Sequence, residues 1–288
     1  MAQQIPVDPD AVAGVHVPEE GTHELAPDLA YRRLAIVNVV FIGEQLSGSG
    51  NWVLVDAGLP ETTGAITRSA ETRFGDSGPP AAIIMTHAHF DHVGALHHLA
   101  ERWNVPIYAH RAELPFLNGS ASYPPPDPTV GGGIMSAMSK LFPRGPIDVR
   151  TWLKPLPEDG SIPCLPDWRW VHTPGHAPGH ISLWREADRA LVAGDAFITT
   201  AQESAYAVIT QAPELHGPPM YFTPDWHAAR DSVRRLAALE PELVITGHGP
   251  AMHGQAMRDA LHQLADRFDT VAVPAHGKYT PADRPAAN

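Results

Sequence analysis

The sequence predicts an α+β fold, because short apolar runs of strand type alternate along it with stretches of helical periodicity. Two further observations carry the prediction. The apolar runs end again and again in an aspartate or a histidine, and glycines follow where the chain must turn away sharply. Strands that discharge such residues at one edge build a single site there.

Taken in order, residues 1–30 are rich in proline and acid and are expected to wrap the surface. Residues 34–42 and 51–56 read as a hairpin joined at Ser47-Gly48-Ser49-Gly50, and the second strand delivers Asp56, followed by Ala57-Gly58. Residues 62–74 are helical and stop at Gly75. The run Ala81-Ala82-Ile83-Ile84-Met85 is a buried strand, and a helix over 92–103 follows the motif after it. Trp170-Val171 leads through His172-Thr173-Pro174-Gly175 to His176, and a strand opens at His180. Leu191-Val192-Ala193-Gly194 delivers Asp195, and Leu243-Val244-Ile245-Thr246-Gly247 delivers His248. A helix over 224–239 takes Thr223 as its cap and Pro224 as its first residue, with Trp226, Ala229, Val233 and Leu236 on one face. Met257, Leu261, Leu264 and Phe268 mark another helix, and a polar tail follows after about residue 274.

The densest signal is Thr86-His87-Ala88-His89-Phe90-Asp91-His92. Side chains two apart on an extended segment share a face, so His87 and His89 point together. Asp91 and His92 come after a bend and serve an adjacent position. Neutral imidazoles with a carboxylate suit zinc, and iron, manganese or cobalt accept the same ligands.

These motifs resemble the metallo-β-lactamase superfamily. Asp56-Ala57-Gly58, Thr86 through Gly94, His172-Thr173-Pro174-Gly175-His176, Gly194-Asp195 and Gly247-His248-Gly249 fall in that family's order across residues 56 to 249. The resemblance implies a four-layer αββα sandwich with two divalent metal ions, zinc before iron or manganese. Carried over by position, His87, His89 and His176 hold the first metal, Asp91, His92 and His248 the second, and Asp195 bridges them. Asp56 matches an acid that orients a ligand histidine from behind, and His172 is a second residue of that kind. The resemblance further implies a hydroxide shared by the two metals as the nucleophile, with Asp91 and Asp195 as the catalytic carboxylates. Asp91 orients that nucleophile and passes its proton to the leaving group.

Composition points to a cytoplasmic enzyme acting on a small molecule. The chain has 288 residues, within reach of a single large two-sheet domain over 1–288. Its one cysteine, Cys164, lacks ligand spacing and is expected in the core. No basic and apolar leader opens the sequence, which counts against a secreted antibiotic-resistance enzyme, and no run approaches the roughly 20 apolar residues of a membrane span. A formal charge of −12 argues against nucleic acid as a partner.

Two segments interrupt the shared motifs, at about 115–150 and 198–222. Long glycine-bearing apolar insertions at an active edge serve as lids and pocket walls, or else cover exposed core or form a homodimer interface. The pocket candidates are Phe90, Phe197, His216, Met220, Tyr221 and Phe222, with Tyr206 in the same stretch. Their apolar character favours an acyl or aryl substrate. Of the other histidines, His180 is expected to be structural, and His97 and His98 lie on a helix surface.

Departures within the family narrow the activity. Asp195 separates the chain from metallo-β-lactamases that lack a bridging aspartate, and lactam cleavage by the same nucleophile is kept as an alternative side activity. Quorum-quenching lactonases share the His-Phe-Asp-His run, but Ile198 replaces a tyrosine that many of them use. Glyoxalase II enzymes match Thr-Pro-Gly-His and Gly-Asp, with Lys278 and Tyr279 as the available glutathione-gripping residues. The expected activity is hydrolysis of an ester, lactone or thioester. The alternatives are a phosphoester or phosphotriester hydrolase and an iron-dependent oxidoreductase.

Overall fold

The computed structural model describes residues 4–75, 78–200 and 213–282. The chain forms two compact units whose segments interleave along the sequence: residues 14–123 with 143–170, and residues 1–13 with 124–142 and 171–288.

The first unit is built on one eight-stranded sheet. Its strands run in sequence order, Val15–Val17, Thr22–Ala26, Leu29–Leu34, Val37–Ile42, Val53–Val55, Ala82–Ile84, Ile107–Ala109 and Leu153–Pro155. The first five pair antiparallel and the last four parallel, with Val55 opposite Val40 on one side and Ile84 on the other. Val53–Val55 and Ala82–Ile84 are buried along their whole length, as central parallel strands require. The hairpin expected over 34–42 and 51–56 is found as Val37–Ile42 paired with Val53–Val55, with Leu34 closing the preceding strand before a turn at 35–36, and the strand at 81–85 is found where it was expected.

Residues 15–34 do not wrap the surface; they are three sheet strands. Their prolines and all of their acids but Glu24 sit at turns, at Pro18-Glu19-Glu20-Gly21 and Pro27-Asp28, while Thr22, Leu29, Ala30, Tyr31 and Leu34 are buried. The helix expected over 92–103 is broken into Phe90–Val93 and Leu96–Trp103. Gly94 lies at the break because a Cβ there would come within 2.1 Å of the Pro60 nitrogen. His97 and His98 are on the exposed face of the second piece.

An aromatic cluster joins this sheet to its helices. Trp52, at the entry to Val53–Val55, stacks on Phe74 at a centroid distance of 4.5 Å and meets Trp103 edge-on at 5.5 Å. Phe74 ends the helix Thr63–Phe74 and Trp103 ends Leu96–Trp103, so one indole fixes both against the strand that delivers Asp56.

The second unit holds a five-stranded sheet in the order Trp168–His172, Ile181–Arg185, Ala190–Gly194, Leu243–Thr246, Met252–His253; the unit boundary falls inside its first strand. The pair Ile5–Pro6 and Glu214–Leu215 adds a small antiparallel ribbon. The helices Trp226–Ala237 and Gly254–Asp266 cover this unit, and Arg234 Nε donates to the Ala265 carbonyl at 3.3 Å. Asp225, not Thr223, caps the first of them, accepting from the Ala228 amide at 2.9 Å. The tail is tied down at residues 278 and 279: Tyr279 donates to the Pro125 carbonyl at 2.7 Å, and the Lys278 amide donates to Asp127. Cys164 is exposed rather than in the core, on a loop where its φ is +70°.

Trp52→Ala removes the central ring of the aromatic cluster and is expected to lower unfolding free energy by about 3–5 kcal/mol, read from urea denaturation. An unchanged midpoint would mean that the cluster does not hold the two helices to the sheet.

Candidate metal centre

Asp56 organises the site in the first unit. It is 3 % exposed and sits at φ +60°, a left-handed conformation that an aspartate tolerates better than most residues. Its amide donates to the Ile84 carbonyl at 2.9 Å, which anchors it to the neighbouring strand. Its Oδ1 accepts the Thr86 amide at 2.8 Å, and its Oδ2 accepts the Thr86 hydroxyl at 2.7 Å and the His92 Nδ1 proton at 2.8 Å.

Those bonds decide tautomers. The Thr86 hydroxyl proton is committed to Asp56, so Thr86 Oγ1 accepts from His87 Nδ1 at 3.0 Å. His87 and His92 are therefore both Nδ1-protonated, and each directs an Nε2 lone pair away from its anchor. His87, His89, Asp91 and His92 are all buried, and the His87 ring lies 4.7 Å from that of His89 and 4.2 Å from that of His92.

Behind the motif is a second anchor. The Ala88 amide donates to Glu113 Oε2 and to Tyr123 Oη, each at 3.0 Å, and the Tyr123 hydroxyl donates to Glu113. Burial, then the adjacent Glu113 charge, raises the Tyr123 phenol well above its ordinary range, so it stays a donor. The Tyr123 ring lies 4.3 Å from that of His89. Neither residue carries a spacing signal in the sequence, since the contact depends on a return of the chain from residue 123.

The second unit repeats the device. Gly175 turns the loop before His176 at φ +134°, and a Cβ there would come within 2.3 Å of the Ala229 nitrogen. Thr223 donates its hydroxyl proton to the Pro219 carbonyl at 2.7 Å and so accepts from His176 Nδ1 at 3.2 Å. His176 Nε2 then faces Asp195 Oδ2 at 3.4 Å, and His248 Nε2 lies 3.1 Å from the same oxygen. A neutral imidazole presenting a lone pair to a carboxylate oxygen is repulsive by itself, and a cation held by both removes the repulsion. The donor set thus fits a divalent ion of the imidazole- and carboxylate-binding kind.

The remaining candidates take varied positions. His172 Nε2 donates to the Pro178 carbonyl at 3.0 Å and closes the loop that carries His176. Phe90 is half-buried at the start of its short helix, whereas Phe197 is fully buried. His216 is buried and paired through Nε2 with Glu214 at 2.9 Å. Met220, Tyr221 and Phe222 form one 3-10 turn directly before Thr223, and Phe142 meets both aromatic rings at 6.2 Å. Residues 201–212 of the 198–222 insertion, with Tyr206, lie outside the described residues.

Residues 32–248 match the family model of the metallo-beta-lactamase superfamily. The chain belongs to the metallo-β-lactamase superfamily. Over 236 residues, 82 % of this chain and 89 % of the relative, it is 48 % identical to the probable metallo-hydrolase YflN of Bacillus subtilis (strain 168). Among solved structures it resembles a beta-lactamase domain protein from Burkholderia ambifaria, with a TM-score of 0.61 at 22 % identity over 91 % of this chain and 79 % of that one. It also resembles TTHA1623, solved in a di-iron-bound form, with a TM-score of 0.51 at 24 % identity over 85 % and 94 % of the two chains. These likenesses show the metallo-β-lactamase fold, in the α+β class that the sequence predicts. Superfamily membership and the buried histidine and aspartate sets together imply divalent metal ions, and the chain is a hydrolase of this superfamily.

Asp56→Asn places an amide donor against the His92 and Thr86 protons and disturbs both ligand tautomers. It is expected to weaken metal affinity by about 10–100-fold while leaving the fold intact, measured by chelator competition and circular dichroism. Unchanged affinity would remove Asp56 from the organisation of the site.

Proposed function

We propose that the chain is a zinc-dependent hydrolase of esters, lactones or thioesters with an apolar acyl or aryl part. In this reading His87, His89 and His176 would hold one ion, Asp91, His92 and His248 would hold a second, and Asp195 would serve both. The observation that carries it is the set of committed Nδ1 protons on His87, His92 and His176, each of which leaves Nε2 as the ligand atom. Two such ions, when bound, lower the pKa of a shared water to about 7 and polarise a substrate carbonyl.

The chain's own groups supply the rest. Asp91, buried at the start of its helix, takes the proton of the attacking water at its carboxylate and returns it to the leaving oxygen, or to the leaving sulfur of a thioester. Asp56 and Thr86 keep the imidazoles from rotating. Apolar surface favours the acyl or aryl class: Ile134, Met138 and Leu141 are exposed on one helical stretch of the 115–150 insertion. That insertion meets the 220–222 turn, where the Asp127 amide donates to the Tyr221 carbonyl at 2.8 Å. The turn leads directly into Thr223 and the His176 ring, which supports Met220, Tyr221 and Phe222 as pocket residues.

Among the described residues no helix is long and apolar enough to cross a membrane. The formal charge of −12 and the single cysteine support a cytoplasmic enzyme with a small-molecule substrate.

The test is proton release by the zinc-loaded protein on a panel of apolar aryl esters, lactones, thioesters and aryl phosphates, with and without chelator. Chelator-sensitive turnover of a carbonyl substrate is expected, and turnover confined to phosphates would replace this reading. His89→Ala and Asp195→Ala should each lose zinc and turnover together. Full activity in either variant without bound metal would refute the assignment.

A further inference from the structure

His180 has ligand chemistry, is fully buried, and lies four residues beyond His176, yet both of its ring nitrogens are engaged by the protein. Its Nε2 accepts the Asp195 amide proton at 2.9 Å. A neutral imidazole that accepts there carries its proton on Nδ1, and Nδ1 lies 2.8 Å from Thr173 Oγ1. Thr173 Oγ1 is 3.1 Å from Ser182 Oγ, which donates to the Ala193 carbonyl at 2.9 Å. The Thr173 proton goes to Ser182 or, more weakly, to the His180 carbonyl at 3.5 Å; in either case it points away from the ring.

The proton order of this chain is set by its ends. An amide can only donate and a carbonyl can only accept, so the His180 ring proton and the Ser182 hydroxyl proton each have one place, and the Thr173 proton is turned away from the ring. Those ends lie two residues apart at the corner where Ala190–Gly194 gives way to the loop, with Gly194 at φ +55°. The relay therefore closes on the corner that aims the Asp195 carboxylate at His176 Nε2 and His248 Nε2.

We propose that His180 is the positioning residue for Asp195. As the Nδ1-protonated tautomer it holds the Asp195 amide, and Thr173 and Ser182 hold the tautomer. The inference rests on Asp195 being a metal ligand, and it explains why a buried histidine beside the site is not one itself.

The two amide substitutions separate the two halves of the ring. His180→Gln places an oxygen where Nε2 accepted and keeps the bond to Asp195. His180→Asn reaches only the Nδ1 position and keeps Thr173 alone. Zinc affinity, read by competition with a chromophoric chelator beside the thermal midpoint, should stay close to wild type in His180→Gln and fall by about 10–100-fold in His180→Asn. Thr173→Val should weaken zinc binding in the same direction and Thr173→Ser should restore it; this pair decides the matter if His180→Asn does not fold. Equal affinities in the Gln and Asn variants, or wild-type affinity in Thr173→Val, would overturn the proposal. Zinc affinity is read without substrate, so a protein that binds zinc but cleaves no carbonyl substrate would defeat the proposed activity and leave this result standing.

Discussion

Commitment of the imidazole Nδ1 protons is the constraint on which the site depends. His92 donates to Asp56, His87 to Thr86 and His176 to Thr223, and each acceptor is itself fixed by a bond to a strand or a turn. A ring held in this way has one tautomer and one direction for its lone pair. The surrounding fold serves that end: parallel strands buried on both faces deliver Asp56 and the Thr86 motif side by side, so the carboxylate spans them with bonds of 2.7 to 2.8 Å. In the second unit the His176 Nε2 lone pair faces an Asp195 oxygen, a repulsion that a cation would remove.

The division of labour between ligands and insertions follows from the same physics. The anchors leave the ligand residues little freedom, and they are made from strand ends, threonines and main chain. The apolar segment at 134–142 meets 220–222 through the Phe142 ring, and the one main-chain bond to that turn comes from Asp127, contacts that constrain shape less tightly. Reaction chemistry and substrate choice are thus placed on parts of the chain with different tolerance to substitution.

Much of this was legible in the sequence, because strand ends and ligand residues coincide. The runs before Asp56, Thr86, Asp195 and His248 are strands, and each motif lies just beyond its strand. Residues 15–30 were misleading because their prolines and most of their acids occupy turns between strands, so composition suggested a surface wrap while Thr22, Leu29 and Ala30 are buried in the sheet. Thr223 reads as a helix cap, but its hydroxyl serves Pro219 and His176 while Asp225 caps the helix. Glu113 and Tyr123 were invisible because their meeting at the Ala88 amide depends on tertiary return of the chain, which no local spacing records. His180 was separable from the ligands by family pattern, but its bond to the Asp195 amide was not.

The most direct test of the central claim is anomalous diffraction at the zinc edge from crystals of the full chain grown with zinc. Two peaks are expected, with His87, His92 and His176 each bonded through Nε2 and their Nδ1 atoms still on Thr86, Asp56 and Thr223. A single peak, or zinc bonded through Nδ1 of any of the three, would contradict the account.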